Sequence, residues 1–236
     1  MTEHTMTFSK WLMCLLLSLC GLLASCATTT PRLSYSAGVS VETLSSAVSM
    51  SVHSADRSMS GSGYLVYRRP DKLHLIMLTP FGTTLMEVIA QGERITILYP
   101  SSATAYVGRI DELPDKGGLQ GWRLMRWVMD VDPPDPGRPD GTVERQGPQG
   151  VREQVTYAGG LVTAKSTQNG DQVYYSRYSL VSGVPLANEL ELRNAREDRI
   201  RIVLDEPEVN ASLEATAFVP RLDGMTVLPL SALQGM

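Results

Sequence analysis

Few side chains in this sequence are of the types that carry covalent chemistry. The chain of 236 residues holds three cysteines and three histidines, and only His53 and His74 lie beyond the N-terminal region. An enzyme site needs a positioned acid, base, nucleophile or metal. The sequence contains no G-x-S-x-G, G-x-G-x-x-G, P-loop or H-E-x-x-H motif. We therefore predict no catalytic residue, no metal site, no cofactor and no enzymatic activity.

A group of aspartates surrounds three prolines in the middle of the chain. Clustered carboxylates suggest calcium, which several carboxylate oxygens bind together. The prolines interrupt the ligand geometry, however, and no bidentate glutamate follows at a suitable position. We therefore interpret the run from Asp132 to Gly141 as a solvated acidic loop. The aspartates are Asp130, Asp132, Asp135 and Asp140, and the prolines are Pro133, Pro134 and Pro136.

One cysteine stands directly after an export signal. Lys10 precedes an apolar run from Trp11 to Leu23, which small residues close, and this is the layout of a signal peptide. The run is shorter than the roughly 20 residues of a membrane-spanning helix. Residues 23–26, Leu-Ala-Ser-Cys, resemble the lipobox of bacterial lipoproteins. The resemblance implies removal of residues 1–25 and a covalent lipid on Cys26.

Cleavage there leaves Cys26 as the only cysteine of the mature chain, because Cys14 and Cys20 lie inside the apolar run. No disulfide is therefore expected. Ala27 follows Cys26, and a residue other than Asp at this position implies, by the same resemblance, sorting to the outer membrane. We expect the lipid to hold the protein at the periplasmic face of that membrane. Residues 26–43, rich in Thr, Ser and Ala, are predicted to be a flexible tether.

The remaining residues, 44–236, are predicted to form one domain. Apolar residues make up 43% of the sequence, which is enough for a sizeable core. The net charge is -4, and the sequence has no basic stripe of the kind that nucleic-acid binding requires. We therefore expect no nucleic-acid partner, and we expect a monomer.

Short segments of alternating apolar residues, separated by turn-forming residues, predict two runs of antiparallel strands. The Asn169–Gly170 pair predicts a type I′ hairpin, since both central residues of that turn need positive φ. After residue 207 we predict a short helix at 209–216 and an extended segment at 219–228. The predicted strands are 46–53, 59–68, 72–79, 84–91, 94–99 and 103–108, then 151–157, 161–168, 172–181, 186–193 and 198–204.

Between the two runs the spacing of apolar residues changes to that of a helix. Leu119, Trp122, Met125 and Met129 fall on one face of residues 119–129, as in an amphipathic helix. The prolines that follow end this helix, because proline cannot continue the backbone hydrogen-bond pattern.

Two stretches carry a family resemblance. Residues 78–85 read Leu-Thr-Pro-Phe-Gly-Thr-Thr-Leu, and residues 122–129 read Trp-Arg-Leu-Met-Arg-Trp-Val-Met. Both resemble the LolB family of outer-membrane lipoprotein receptors and, more loosely, its soluble relative LolA, over residues 45–204. The resemblance implies a mainly β fold with some α structure, an open antiparallel β-barrel or half-barrel with helices covering its mouth. The last thirty residues extend beyond the usual LolB end.

The resemblance also places an apolar cavity for acyl chains under the helix. We expect Trp122, Met125 and Met129 to form its lid or lining. Methionine adapts to irregular guests, so Met77 and Met86 are expected in the lining as well, with ordinary core packing as the alternative for each. Phe81 matches a protruding apolar residue that the family links to transfer of the client into the membrane. The alternative is that Phe81 folds back and plugs the end of the barrel.

The leading functional hypothesis is a carrier that takes the acyl chains of lipoproteins, or other lipids, and hands them to the outer membrane. Its partners would be acylated lipoprotein clients or the periplasmic carrier that brings them. The second hypothesis is an envelope scaffold with the same barrel and a filled interior, and a hydrolase is a distant third. Bound lipid distinguishes the first two hypotheses, because a filled barrel would carry none.

Overall fold

Alternating apolar side chains produce two runs of antiparallel strands, which join in a single sheet. The computed structural model describes residues 33–54, 58–113, 120–147, 150–195 and 198–233. The first run is β1 (Thr43–His53), β2 (Ser58–Arg68), β3 (Lys72–Leu78), β4 (Thr84–Gln91), β5 (Arg94–Tyr99) and β6 (Thr104–Arg109). The second is β7 (Gly141–Gln146), β8 (Arg152–Ala158), β9 (Leu161–Thr167), β10 (Gln172–Val181), β11 (Val184–Arg193) and β12 (Arg199–Val209). A last strand, β13 (Thr226–Pro229), follows.

The two runs meet where β1 pairs antiparallel with β12. The strand order is β13-β6-β5-β4-β3-β2-β1-β12-β11-β10-β9-β8-β7. Every neighbouring pair is antiparallel except β13 and β6, which are parallel. Within the described residues β13 and β7 form the two ends of the sheet, so the barrel is open. The predicted fold class, an open antiparallel half-barrel with helical cover, is confirmed.

The helix α1 (Gln120–Met129) is the one α-helix among the described residues, and it lies on the inner face of the sheet. Met125, Trp127 and Val128 are buried against inward-facing residues of β1–β3 and β8–β12. At its other end, Gly121 lies against Ile200 of β12. No helix in the described part of the chain is long and apolar enough to cross a membrane.

Most strands lie within a few residues of their predicted positions, but β7 was not predicted. Its side chains are almost all exposed, so the segment has no apolar alternation to identify it. The turn at Asn169–Gly170 joins β9 and β10, yet only Gly170 has positive φ. The Thr167 amide donates to the Asp171 carbonyl, and the Gly170 amide donates to the Thr167 carbonyl. This is a type I turn followed by a left-handed glycine, so the predicted type I′ turn is wrong.

The C-terminal tail runs over the outer face of the sheet instead of forming the predicted helix at 209–216. A 3-10 turn occupies Ala215–Phe218, and Phe218 is buried. The His74 ring and the Gln91 side chain bond to the carbonyls of Ala217 and Phe218. Tertiary contacts of this kind override weak local helix preference. Of the predicted extended segment 219–228, only its last residues belong to β13.

Residues 33–42 also pack on the domain. The Tyr35 hydroxyl donates to the Gly159 carbonyl at 2.7 Å, and the Gly38 amide donates to the Pro134 carbonyl at 2.8 Å. Residues 33–42 therefore belong to the compact unit that begins at Leu33, whereas the sequence predicted a flexible tether up to residue 43. The predicted signal peptide, the predicted lipid-bearing Cys26 and the rest of the predicted tether lie outside the described residues.

Candidate functional site

An apolar cavity lies between the middle of the sheet and the chain that leaves α1. Its empty space is about 780 Å³, including the part open to solvent. The walls come from β1, β2 and β9–β12, from residues 128–134, and from Ser40 and Val41. Its apolar wall residues include Leu44, Leu65, Val128, Met129, Leu161, Val162, Leu186, Ala187, Leu190, Ile202 and Leu204.

Three tyrosines line this cavity, and their hydroxyls differ in hydrogen bonding. Tyr175 donates to the Val128 carbonyl at 2.6 Å, and Tyr178 donates to the Val162 carbonyl at 2.5 Å. The hydroxyl of Tyr67 is buried and has no hydrogen-bond partner among the described residues. Burial raises the pKa of Tyr67 to about 12, so its hydroxyl remains a donor at neutral pH.

A buried ionic group, which we call the clamp, fixes the C-terminal end of α1. It consists of Trp127, Arg145, Glu153 and Lys165. The Glu153 carboxylate accepts from the Trp127 indole at 2.6 Å and from Arg145 Nε at 2.9 Å, and Lys165 Nζ lies 3.4 Å away. Lys165 Nζ also donates to the carbonyls of Trp127 and Asp130. These carbonyls end the helix, so the lysine acts as a buried C-terminal cap.

Asp132 extends the clamp towards the cavity wall. Its carboxylate accepts from Arg145 Nη1 at 2.7 and 2.9 Å, from Arg138 at 3.1 Å and from the Tyr157 hydroxyl at 2.5 Å. Burial alone would raise the pKa of Asp132, but these hydrogen bonds and the Arg145 charge outweigh it and hold the pKa below its ordinary value. The prediction of a solvated acidic loop is wrong for this residue.

Phe81 lies at the tip of the turn between β3 and β4. It is 95% exposed, and the turn beneath it is well defined. The Gly82 amide donates to the Thr79 carbonyl, and the Thr79 amide donates to the Thr83 carbonyl. Gly82 has a φ of +80°, a conformation that glycine adopts without steric cost. The backbone thus holds an apolar ring in solvent.

The five residues predicted for the cavity fall in three different places. Met129 lines the main cavity. Trp122 and Met125, again with Met129, line a smaller cavity of about 380 Å³ on the side of α1 that faces β3–β5. Met77 and Met86 line neither of the cavities found among the described residues. They pair with each other near the Phe81 end of β3 and β4, where Met77 is buried in the core.

The clamp and the tyrosines were not predicted from the sequence. One signal was present: Glu153 shares its strand face with Val155 and Tyr157, all of them buried, so a charge stands at a core position. A charge at such a position needs buried partners. In the described part of the chain, no group of His, Cys, Asp or Glu side chains could hold a metal ion.

Sequence comparison assigns the chain to a family. The sequence profile described as outer membrane lipoprotein LolB matches residues 43–206. The chain belongs to the LolB family. The match contains the Phe81 turn and all of α1, and it ends within β12, so the C-terminal tail of this LolB-family protein lies outside it. No curated protein matches this LolB-family chain in sequence.

Solved structures show the same fold at low sequence identity. A LolA superfamily protein from Nitrosomonas europaea has a TM-score of 0.54 and 10% identity, covering 77% of this LolB-family chain and 92% of its own. A DUF1329 family protein from Desulfovibrio piger has a TM-score of 0.54 and 12% identity, covering 76% and 90%. A putative outer membrane lipoprotein-sorting protein domain from Vibrio parahaemolyticus has a TM-score of 0.50 and 8% identity, covering 75% and 89%.

Proposed function

We propose that this protein is a lipid-anchored receptor at the periplasmic face of the outer membrane. It takes acyl chains of lipoproteins into the cavity beside α1 and hands them to the membrane at the Phe81 turn. The observation that carries the proposal is the apolar cavity on the inner face of a LolB-family half-barrel. No covalent chemistry is needed, because both loading and release transfer apolar surface from one apolar environment to another.

The walls of the cavity suit hydrocarbon. Aliphatic side chains of β1, β2, β9, β11 and β12 line it, together with the unbranched Met129 at the end of α1. A buried hydrocarbon chain gains about 0.8 kcal/mol for each methylene removed from water. Each methylene that enters the cavity therefore adds to the driving force for binding, and the hydrophobic effect, which is not directional, does not require one particular shape of the guest.

The Phe81 turn supports the release step. Burial of a phenylalanine side chain is favourable by roughly 1.5–3 kcal/mol of free energy. An exposed phenylalanine gains this free energy only when a membrane or a client surrounds it. The hydrogen bonds of the turn keep the ring outside the protein core, so a bilayer surface is a suitable partner. In this proposal Phe81 contacts the lipid while the client leaves the cavity.

Filling the cavity tests the loading step. Ala187 lies in the cavity wall and is buried, so Ala187→Phe should remove the space for an acyl chain. We expect lipid that copurifies with the wild type, detected by mass spectrometry, to be lost in this variant. Ala158→Phe, at an exposed position on β8, is the matched control and should retain the lipid. Wild-type protein without bound lipid, and unable to take up a fluorescent fatty acid, would favour the scaffold hypothesis.

Phe81→Glu tests the release step. The melting temperature should change little, because the side chain is almost fully exposed. Transfer of a lipoprotein to liposomes should fall by about tenfold or more, since the apolar ring no longer enters the bilayer. Val143→Glu, at an exposed apolar position on the distant edge strand β7, is the control. A Phe81→Glu protein that transfers clients at the wild-type rate would refute the role of the turn.

The anchor is tested at Cys26. Cys26→Ser should leave the chain without lipid and abolish tight association with membranes, because stable anchoring requires buried acyl chains. Intact-mass measurement of the membrane-bound wild type should show the modification. An unmodified Cys26 in the membrane-bound wild type would contradict the proposed lipid anchor. This outcome is independent of whether the cavity binds lipid.

A further inference from the structure

The unpaired hydroxyl of Tyr67 is the least expected feature of the cavity. Buried polar groups are almost always hydrogen bonded, and Tyr175 and Tyr178 in the same wall follow this rule. Tyr67 is 2% exposed and its hydroxyl has no partner among the described residues. Leaving a buried donor unsatisfied costs roughly 1–3 kcal/mol, so the position calls for an acceptor that is not part of the fold.

A second unsatisfied donor stands beside it. Arg69 Nε is buried and has no partner among the described residues. The rest of the guanidinium is fixed, since Nη2 donates to the Val131 carbonyl at 2.6 Å and Nη1 lies 3.6 Å from Asp130. Arg69 is two positions after Tyr67, and both residues line the main cavity. The Arg69 charge acts on the Tyr67 hydroxyl, where it partly offsets the effect of burial.

We propose that Tyr67 and Arg69 form a polar subsite that binds the carbonyl oxygen of an acyl chain whose hydrocarbon lies in the main cavity. This inference rests on the proposed function and specifies the ligand class of the same site. Arg69 Nε can only donate, and the protonated Tyr67 hydroxyl has a proton to donate, whereas the oxygens of an acyl ester or a carboxylate can only accept. The guest is therefore an acyl compound held at its head, rather than any hydrocarbon of suitable length.

The other polar groups of the wall do not compete for this role. The Asp132 carboxylate is already bound by Arg138, Arg145 and Tyr157. Tyr175 and Tyr178 donate to backbone carbonyls, which would lose their partners if either hydroxyl turned to a ligand. The subsite thus has a defined location, at the end of β2.

Tyr67→Phe isolates the subsite, because it removes the hydroxyl and preserves the ring. All proteins carry Cys26→Ser in the full chain, so that no covalent lipid competes for the cavity. The uncharged fluorophore N-phenyl-1-naphthylamine reports occupancy, and palmitate, methyl palmitate and hexadecane displace it. We expect Tyr67→Phe to weaken palmitate and methyl palmitate about tenfold, as for the loss of one ligand hydrogen bond. Hexadecane should bind as before.

Tyr175→Phe is the matched control, since it removes a hydroxyl from the same cavity without touching the subsite. It should lower the melting temperature but weaken all three ligands alike or not at all. If Tyr67→Phe weakened the binding of palmitate alone, the result would support the subsite. It would assign the subsite to the carboxylate of free fatty acids rather than to esters.

Equal losses for hexadecane and palmitate in Tyr67→Phe, or no loss for any ligand, would overturn the subsite and leave the cavity as a lipid site. If none of the ligands displaced the fluorophore from the wild-type cavity, the proposed function itself would fail.

Discussion

The clamp and the Tyr67–Arg69 subsite are two polar regions beside one cavity, and they differ in how completely their groups are hydrogen bonded. In the clamp, the Glu153 carboxylate and the Lys165 ammonium are both contacted by several partners. In the subsite, two buried donors have none among the described residues. Polar groups that are satisfied within the fold hold elements in place, whereas unsatisfied ones leave capacity for a ligand.

The clamp and the subsite also contact different parts of the chain. The clamp joins the end of α1 to β7, β8 and β9, so the helix is held at that end by buried charge. Tyr67 and Arg69 line the main cavity together with residues of the segments 131–134 and Ser40–Val41. The clamp therefore holds the helix end, whereas the subsite is the part of the cavity wall that keeps hydrogen-bonding capacity for a guest.

The largest effect is expected for Glu153→Leu. It leaves the buried Lys165 without its carboxylate partner, and removing one partner of a buried pair typically costs about 3–5 kcal/mol. Urea denaturation measures the loss in the free energy of unfolding. Glu144→Leu, an exposed partner of Arg152 on β7, should change stability by less than about 0.5 kcal/mol. Similar losses in both variants would mean that the clamp does not hold the helix.

Asp132→Asn should have the next largest effect, roughly 1.5–3 kcal/mol from weaker hydrogen bonds to charged groups. Because the folded-state pKa of Asp132 lies below its unfolded value near 3.8, the unfolded chain binds more protons in that interval. The stabilisation is therefore present above pH 3.8 and is lost as the pH falls through the lowered pKa. Melting temperatures between about pH 6 and pH 2 should decline less steeply for the variant. Parallel profiles would contradict this assignment.

Tyr175→Phe should cost about 1–2 kcal/mol, because the buried Val128 carbonyl at the end of α1 loses its donor. Hydrogen exchange of the α1 amides, measured together with the melting temperature, should show faster local opening. If the helix exchanged as slowly as in the wild type, another donor would have replaced the tyrosine.

The smallest effect on stability is expected for Tyr67→Phe, within about 0.5 kcal/mol of the wild type, or slightly stabilising. The substitution removes a buried donor that has no acceptor in the described chain, and replacing such a group with an apolar one is nearly neutral. Denaturation without added lipid provides the measurement. A loss as large as that of Tyr175→Phe would show that the hydroxyl has a structural partner.

Features that depend on local sequence were predictable, and features that depend on distant pairs were not. The strands, α1 and the Pro-Phe-Gly turn follow from spacing and turn residues, and the structure has them near the predicted positions. The clamp joins residues from α1 and three separate strands, so no short pattern contains it. Whether the Tyr67 hydroxyl has a partner depends on every element around it. Alternation can place a tyrosine on the inner face but cannot determine its hydrogen bonds.

The methionines illustrate the same limit. Their chemistry suits a lipid cavity, and all five predicted residues are apolar. Their positions on α1 and on the strands decide that Met129 lies on the main cavity while Met77 lies in the core near the Phe81 turn. The family resemblance predicted a cavity, but the pairing of β1 with β12, which joins the two runs of strands, determines which side chains surround it.

The pairing of β1 with β12 has a consequence for the order of folding. Strands β2–β6 and β7–β11 each pair with neighbours in sequence, whereas the β1–β12 ladder joins Leu44 to Val209. Contacts between distant residues require closure of a long loop and form slowly. We expect the two local meanders to form early, and their apolar faces to stay exposed to water until β12 pairs with β1. During that interval we expect chaperones to bind the chain, since the apolar residues that later line the cavity are still exposed.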